Sequence, residues 1–429
     1  MRGRLNLFQA AMVRWRELWP YNAVHVAELA GPLDLAKLAS AVAGHVAEMG
    51  VGALTLDAAG RRFDYGGDAP APEVALLQGG ADATAVLERE MERQLNLPFA
   101  REGAYAPFRF FAVDAGATFH VGVAYDHFIA GGDSLVALLK GIASRYEGGP
   151  PANGAAPDLY PPAYGRLFWR NALKFYIGQY SLPGMLMRAG RAFRPRYPYG
   201  DDYRNAFTSF ELPAELHAAL VGTAKQWGLT RNDLLIAMLL KALAPEVPER
   251  LHARRRREIA IASVINIRHE IAPGPEAAFG QFLSSFLVSH PVPADITVEA
   301  LARDVHEQTR RVKHRKLYLQ TLYLIACGGL AWRFMTPEQH KHMYAKNYPV
   351  WAGVSMLSVE SIWRNAPGSA RVLHYLRAVS TGPFAPMVIA PASVGDRLHV
   401  GVSYRTSAFR SEDVARIVAA VVACARNLR

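Results

Sequence analysis

The residues best suited to chemistry lie in the stretch FHVGVAYDHFIAGGDS, at positions 119–134. Positions 119–125 alternate large apolar residues with smaller or polar ones, and this period of two predicts a β-strand. Gly131 and Gly132 then break the strand, and apolar residues at helical spacing follow, which predicts a helix. His127 therefore lies between a strand end and a helix N-terminus, where an imidazole can face a cavity and move protons.

Two carboxylates flank this histidine in the sequence. Asp126 can orient His127 or raise its pKa, but adjacent residues of a strand point to opposite faces, which favours a solvated or capping aspartate. Asp133 lies at the start of the predicted helix, where a carboxylate can cap the helix. Neither carboxylate is assigned a chemical role from its position alone.

The surrounding chain alternates strands with helices, which predicts an α/β protein. A strand and a helix capped by Asp34 precede the histidine, and a second group of strands and helices follows it. The predicted strands cover 107–113, 259–267, 279–292, 350–359 and 373–379, and the predicted helices cover 214–226, 229–244 and 297–317.

An internal repeat links the two ends of the chain. The sequence LHVGVSY at 398–404 repeats FHVGVAY at 119–125, and a helix is predicted after each copy. The shared strand-turn-helix context indicates a structural duplication. The second copy has Arg405 and Thr406 where the first has Asp126 and His127, so only the first copy is equipped for proton transfer.

The stretch around His127 resembles the HHxxxDG motif of the chloramphenicol acetyltransferase-like superfamily, which includes condensation domains of peptide synthetases. The resemblance covers nearly the whole chain and places His127 at the catalytic histidine. It implies an α/β fold of two similar subdomains, 1–195 and 196–429, forming a pseudo-dimer with a tunnel at their interface. The order of elements, including Gly31 and Asp34 before the first helix, is similar to that of condensation domains.

The motif matches the family only in part. Asp126 takes the place of the first histidine, Gly131 stands where the family has aspartate, and Gly132 is the motif glycine. In the family that aspartate pairs with an arginine at the end of a later strand, and Arg268 matches this arginine. Asp133 is a substitute for the missing carboxylate, or it only caps its helix.

The resemblance implies an acyltransferase that moves an acyl group from a carrier-protein phosphopantetheine or coenzyme A thioester to an alcohol or amine. His127 is expected to act as general base without a covalent enzyme intermediate. Ser355, on a predicted strand, is a candidate to stabilise the oxyanion, and a serine bonded to backbone is the alternative. The lost motif residues leave open a catalytically degenerate binding or scaffolding protein.

No metal site and no tightly bound cofactor are expected. The two cysteines, Cys327 and Cys424, cannot form a zinc site or a disulfide framework, and they fit a reducing cytosol. His120 and His399 occupy equivalent strand positions and are interpreted as structural. His340 and His342 have no partners at ligand spacing.

The formal net charge of +11 is concentrated in two segments. Residues 159–200 contain seven Lys or Arg and no acid, and residues 309–337 contain six and no acid. Such surfaces suit an acidic carrier protein or anionic lipid. Nucleic acid is not expected, because no zinc-finger spacing, recognition-helix pattern or RNP-type motif is present.

Each basic segment also contains an apolar helical stretch with two interpretations. Residues 164–192 predict a bridging helix pair with solvated arginines, or a surface for a membrane or carrier protein. Residues 314–347 predict a core helix broken at Gly328 and Gly329, or an interfacial helix. The longest apolar run, 322–332, has 11 residues, and a bilayer span needs about 20. Without a recognisable signal peptide, the expected location is the cytoplasm, with peripheral contact at the inner membrane face.

Overall fold

A computed structural model describes residues 2–57, 59–66, 71–80, 82–149, 158–160, 164–195, 202–271, 278–365 and 370–428. The strands are β1 (Arg2–Arg4), β2 (Asn22–Ala30), β3 (Thr55–Leu56), β4 (Arg62–Asp64), β5 (Val74–Gln78), β6 (Phe108–Asp114), β7 (Thr118–Asp126), β8 (Asp158–Leu159), β9 (Asn205–Leu212), β10 (Ile259–Asn266), β11 (Ala278–Phe279), β12 (Leu283–His290), β13 (Ala352–Val354), β14 (Leu357–Ser358), β15 (Val372–Val379), β16 (Met387–Val394) and β17 (Arg397–Arg405).

The α-helices follow the apolar periodicity of the sequence. They are α1 (Leu7–Arg16), α2 (Leu35–Met49), α3 (Ala83–Asn96), α4 (Gly132–Tyr146), α5 (Tyr164–Arg170), α6 (Ala172–Gln179), α7 (Leu182–Arg191), α8 (Ala214–Gln226), α9 (Arg231–Leu243), α10 (Arg268–Ile271), α11 (Val298–His314), α12 (Tyr318–Ala331), α13 (Pro337–Asn347) and α14 (Ser411–Arg426).

The first sheet carries the strand that leads to His127. Its order is β15-β2-β7-β6-β5, with β7 antiparallel to both β2 and β6. Apolar side chains on one face of β7 pack with those of α2 and α4, and α3 covers the other face. Because both faces are covered, β7 is buried almost throughout, including its last residue, Asp126.

The second sheet repeats this plan around the second copy of the repeat. Its order is β12-β10-β13-β16-β17-β9, and β14 pairs with β16. Helices α8, α9, α11 and α14 supply most of the helical side chains of its core. β7 and β17 thus each have a strand on both sides and a helix after them, as the repeat predicts.

The two halves are joined by a strand that changes sheets. β15 follows the early strands of the second sheet in the chain, but it pairs antiparallel with β2 of the first sheet. β17 lies close against β15, because a Cβ added at Gly401 would be 1.8 Å from the carbonyl oxygen of Arg377. We call the whole contact between the two halves, of which this approach of β17 to β15 is one part, the seam. The division between residues 195 and 196 stays a prediction.

Two helical segments differ from their predicted structure. Residues 164–191 form three short helices instead of a pair, and α7 has no buried residue. Helix α12 runs through Gly328 and Gly329 without a break, and only its first turns are buried, so the interpretation as a broken core helix is wrong. The predicted strand 350–359 is interrupted between β13 and β14. The connector at 150–157 and the segment 196–201 lie outside the described residues.

Within the described ranges, no helix combines the length and apolar character needed to cross a bilayer.

Candidate active site

His127 immediately follows β7 and lies at the seam. Its backbone N–H donates to the carbonyl of Tyr21 at 3.1 Å, and its own carbonyl accepts from Nε2 of Gln281, in the second half, at 3.0 Å. The rings of Tyr21 and Tyr125 make edge contacts with the imidazole at centroid distances of 5.2 and 5.9 Å. The ring is thus held by the first half, and the backbone of His127 is bonded to both halves.

The environment keeps the imidazole neutral. The residue is half-buried, and packing around the imidazole together with the charge of Arg377 lowers the pKa of His127 to about 3, burial being the larger cause. Its buried Nδ1 has no hydrogen-bond partner among the described residues. A neutral imidazole can accept a proton, so the side chain is in the protonation state that a base requires.

His25 lies beside His127 on the neighbouring strand β2. Nδ1 of His25 is 2.8 Å from the hydroxyl of Tyr375, and burial lowers the pKa of His25 well below its usual value. Arg377 of β15 is directly opposite His25 in the β2–β15 pair, and its positive charge acts on His127. Buried polar groups from both halves thus lie close to His127.

Asp126 faces away from His127. Its carboxylate accepts from Arg16 of α1 and from the hydroxyl of Tyr105, the latter at 2.9 Å. Burial raises the pKa of Asp126 to about 6, although Arg16 opposes this shift. The interpretation of Asp126 as solvated or capping is wrong, because the carboxylate is buried and bound by Arg16 and Tyr105. The sequence gives no indication that Arg16 would reach it.

Gly131 has no space for the aspartate that the family carries there. A Cβ at Gly131 would lie 2.6 Å from Oε1 of Gln281, a residue with no exposed surface. The N–H of Gly131 donates to the carbonyl of Gly280 at 2.9 Å. The side chain of Gln281 and the backbone of Gly280 therefore fill the space that a carboxylate at position 131 would need. A Cβ at Gly132 would approach Arg377 to 2.9 Å.

Arg268 also contacts the residues that follow Gly132, and its contact with the hydroxyl of Ser134 is shorter than its contact with the carboxylate of Asp133. Its Nη2 donates to Oγ of Ser134 at 2.6 Å, and its Nε lies 3.8 Å from Oδ2 of Asp133. Asp133 accepts from the side chain of Asn266 and makes no capping hydrogen bond. The structure thus brings Asp133 and Arg268 together as a loose ion pair, and the interpretation of Asp133 as a cap is wrong.

Ser355 is half-buried between β13 and β14, not within a strand. Its N–H donates to the carbonyl of Ile389 at 3.1 Å, and its carbonyl accepts from Nη2 of Arg377. Sequence reasoning missed Arg377, a buried cation 3 % exposed. The one indication in the sequence is an arginine within the mainly apolar strand β15. It missed Gln281 as well, which follows a glycine in a loop.

The arrangement can perform acid–base chemistry. A neutral imidazole lies near a buried guanidinium, at a contact between the two halves. Among the described residues, no set of three metal ligands surrounds His127. A cavity of about 480 Å³ lined by Arg89, Arg93 and Arg204 lies elsewhere on the molecule.

The fold is that of a two-lobed protein of the chloramphenicol acetyltransferase-like class, as predicted. The sequence profile of the Condensation domain family matches residues 21–427, and the chain belongs to this family. Family membership supports acyl transfer as the general chemistry. No curated protein sequence is detectably similar to the chain.

Solved structures of condensation domains and of an acetyltransferase share the fold. The first condensation domain of the calcium-dependent antibiotic synthetase, with a substrate analogue, has a TM-score of 0.73 at 16% identity, over 100% of this chain and 97% of that one. The trichothecene 15-O-acetyltransferase TRI3 from Fusarium sporotrichioides has 0.70 at 13% identity, over 100% and 96%. The condensation domain of the monacolin K polyketide synthase MokA has 0.68 at 13% identity, over 100% and 97%.

Proposed function

We propose that the protein transfers an acyl group from a carrier-protein or coenzyme A thioester to an alcohol or amine. The observation that carries the proposal is the neutral imidazole of His127 at the seam, reached by groups of both halves. No tightly bound cofactor is required, since the phosphopantetheine arm or coenzyme A enters as co-substrate. The proposed setting is the biosynthesis of a lipid, polyketide or other secondary metabolite.

In the proposed reaction His127 removes the proton of the acceptor hydroxyl or amine as its oxygen or nitrogen attacks the thioester carbonyl. The tetrahedral intermediate collapses, the carbon–sulfur bond breaks, and the imidazolium returns its proton to the leaving thiolate. The guanidinium of Arg377 and the hydroxyl of Ser355 are candidates to stabilise the oxyanion. A seam tunnel would bring donor and acceptor to the imidazole from opposite sides.

The remaining motif residues are proposed to position the loop. Asp126 anchors the end of β7 to α1 through Arg16. Gly131 and Gly132 let the N-terminus of α4 approach Gln281 and Arg377 closely. Asp133 and Arg268 connect α4 to the end of β10, so the loop is held without the family aspartate.

An acidic carrier protein is the proposed donor partner. The C-terminal end of α11 exposes Arg310, Arg311, Lys313 and Arg315 to solvent. Carrier proteins of this class are typically acidic, so a basic surface would attract one and raise the association rate. Coenzyme A is the alternative donor.

The test is transfer by the purified protein with a panel of carrier-bound and coenzyme A acyl donors. We expect His127→Ala to lower the rate by about 10²–10⁴-fold while circular dichroism and the unfolding temperature stay unchanged. His252→Ala, at an exposed position, is the matched control. Retained transfer by His127→Ala would refute the role of the imidazole. Binding of a loaded carrier without turnover by the wild-type protein would instead support a degenerate scaffolding protein.

We also propose that the protein contacts the cytoplasmic face of a membrane, because α5, α6, α7 and α12 expose a large apolar surface. We call it the apolar patch, and it comprises Trp169 at 84% exposure, Leu173, Tyr176, Ile177, Tyr180, Leu186, Met187, Leu330 and Phe334 at 83%. Helix α6 packs against α5 and, through the rings of Phe175 and Tyr323, against α12, so the exposed residues of these three helices lie on neighbouring elements.

The charges around the apolar patch suit anionic lipid. Arg166, Arg170, Lys174 and Arg191 are exposed on the same helices. Apolar side chains flanked by cations are typical of interfacial helices that lie on a membrane surface. A lipid acceptor in the membrane would then reach the protein by lateral diffusion.

Co-sedimentation with phosphatidylglycerol vesicles tests this contact, with phosphatidylcholine vesicles for comparison. The double variant Leu173→Ser, Ile177→Ser should bind at least about tenfold more weakly, because burying either side chain contributes roughly 1.5–3 kcal/mol. Leu251→Ser, which removes an exposed leucine outside the apolar patch, should bind like the wild type. Equal binding by the double variant, or none by the wild type, would exclude the proposal.

A further inference from the structure

A second group of chemically capable side chains lies at the far end of the seam from His127. It joins three strands of the two sheets: Glu211 of β9 and His399 of β17 are direct partners in the second sheet, and His374 belongs to β15 in the first. One ligand atom from each residue lies within 4.8 Å of the other two. The rings of His374 and His399 have centroids 3.7 Å apart.

His399 has polar atoms that the protein leaves unsatisfied. Its side chain is 1% exposed, and neither ring nitrogen has a hydrogen-bond partner among the described residues. Oε2 of Glu211 lies 3.5 Å from Nδ1 of His399 without forming a hydrogen bond. Because buried polar groups are nearly always paired, two unsatisfied nitrogens on one ring point to a ligand that binds there.

The carboxylate of Glu211 has one oxygen held by a cation and one directed at the group. Arg397 donates to Oε1 of Glu211 at 2.9 Å. The other carboxylate oxygen remains directed at His399.

The internal repeat supplies the surroundings of this group. His120 and His399 hold equivalent positions in the two copies, and the ring of His399 lies against the ring of His374. Glu28 pairs directly with His120 on one side and with His374 on the other. The duplicated strands thus bring a histidine from each half to the same place.

We propose that Glu211, His374 and His399 bind one divalent transition-metal ion, with Zn²⁺ the best fit, and that this ion fastens the two sheets together. Two imidazoles and a carboxylate are a usual zinc ligand set, with water as the fourth ligand. Zinc ligands lie about 2.0–2.2 Å from the ion, so the three side chains must close by about 1 Å. Glu211 and His374 are half-buried, which gives the ion a path from solvent.

This site is separate from the proposed acyl transfer. His120 precedes His127 by seven positions along β7, which corresponds to roughly 20 Å at about 3.3 Å per residue. The ion would therefore stabilise the seam without contacting the substrate. Failure of the metal proposal leaves the proposed function untouched, and the reverse also holds.

The test uses the purified full chain, free of affinity tag and stripped with EDTA. Titration with Co²⁺ should give the visible d–d absorption of a tetrahedral site, saturating at one ion per chain and displaced by Zn²⁺. Zn²⁺ at about a hundredfold excess over Kd should raise the unfolding temperature by about 3 °C. Absence of stoichiometric binding would overturn the proposal.

Variants locate the ion. His374→Gln and Glu211→Gln, at half-buried positions, should each weaken Co²⁺ binding by about 10–100-fold while circular dichroism stays unchanged. His252→Gln, an exposed histidine outside the group, should bind like the wild type. If one of the two ligand variants does not fold, the other variant tests the assignment by itself. Unchanged binding in a folded ligand variant places the ion elsewhere and refutes the assignment.

Discussion

Asp126 and His127 are adjacent in sequence, yet they face different environments. His127 lies at the seam beside Arg377, and burial with this cation keeps its ring neutral. Asp126 lies on the covered side of β7, and Arg16 supplies the opposite charge that a buried carboxylate needs. The separation lets one residue remain available for proton transfer while the other holds the strand end in place.

We predict that Arg16→Met destabilises the protein by about 3–5 kcal/mol at pH 7.5, because it leaves the carboxylate of Asp126 buried without a partner. The folded-state pKa of Asp126 is already raised to about 6, so the folded state binds more protons than the unfolded state between pH 4 and 6. Without Arg16 that pKa rises further, and the variant loses stability as the pH increases through this range. Urea unfolding at pH 5.0 and 7.5 measures the effect.

The double variant Arg16→Met, Asp126→Leu is the control, because it removes both charges and should recover most of the lost stability. If Arg16→Met is as stable as the wild type at pH 7.5, the pair contributes nothing and another contact holds α1 on β7.

At the scale of elements, the two copies of the repeat use their glycines for different close contacts. A Cβ at Gly122 in β7 would collide with the ring of Phe111, and a Cβ at Gly401 in β17 would collide with the backbone carbonyl of Arg377. A ring can shift, whereas a backbone carbonyl in a paired strand can move only with the strand. Gly401 therefore sets the distance between β17 and the crossing strand β15.

We predict that Gly401→Ala destabilises the protein by about 3 kcal/mol, because β15 and β17 must separate to admit a methyl group. Since β15 also carries Arg377 and His374, the variant should weaken both acyl transfer and Co²⁺ binding. Gly222→Ala, in α8 with open space around it, should instead raise stability by about 0.5–1 kcal/mol. Thermal unfolding compares the two, and a Gly401→Ala protein as stable as wild type would contradict the close contact.

Periodicity predicted most elements, because the large apolar residues of β7 and β17 alternate along each strand and α14 buries apolar residues at helical spacing. It failed for α12, whose apolar sequence fits a core helix equally well although most of the helix is exposed. The sequence also located His127 by its resemblance to a motif. The partners Arg16, Gln281 and Arg377 could not be predicted, since each reaches the motif from a distant element and none has a fixed spacing from it.

At the scale of the whole molecule, histidines with lowered pKa values are concentrated near the contact between the halves. Burial lowers the pKa of His25, His127, His374 and His399, which come from both halves. Each ring must stay neutral for the halves to remain packed. Protonation of these rings is therefore coupled to unfolding of the molecule as a whole.

We predict that the metal-free protein loses stability as the pH falls from 7.5 to 5.0. The folded-state pKa values lie below the unfolded value of about 6.5, so the unfolded state binds more protons in this range and acid favours it. Each such histidine adds up to about 1.4 kcal/mol per pH unit to the slope of the unfolding free energy against pH. Asp126, whose folded-state pKa is raised, lowers that slope by up to about the same amount. Urea unfolding in EDTA should give His127→Gln a smaller slope of unfolding free energy against pH than the wild type. The difference should correspond to about one proton, because glutamine does not titrate. A slope that is zero in the wild type, or unchanged in His127→Gln, would mean that these rings are already solvated in the folded state, and the seam would then be an open, hydrated surface.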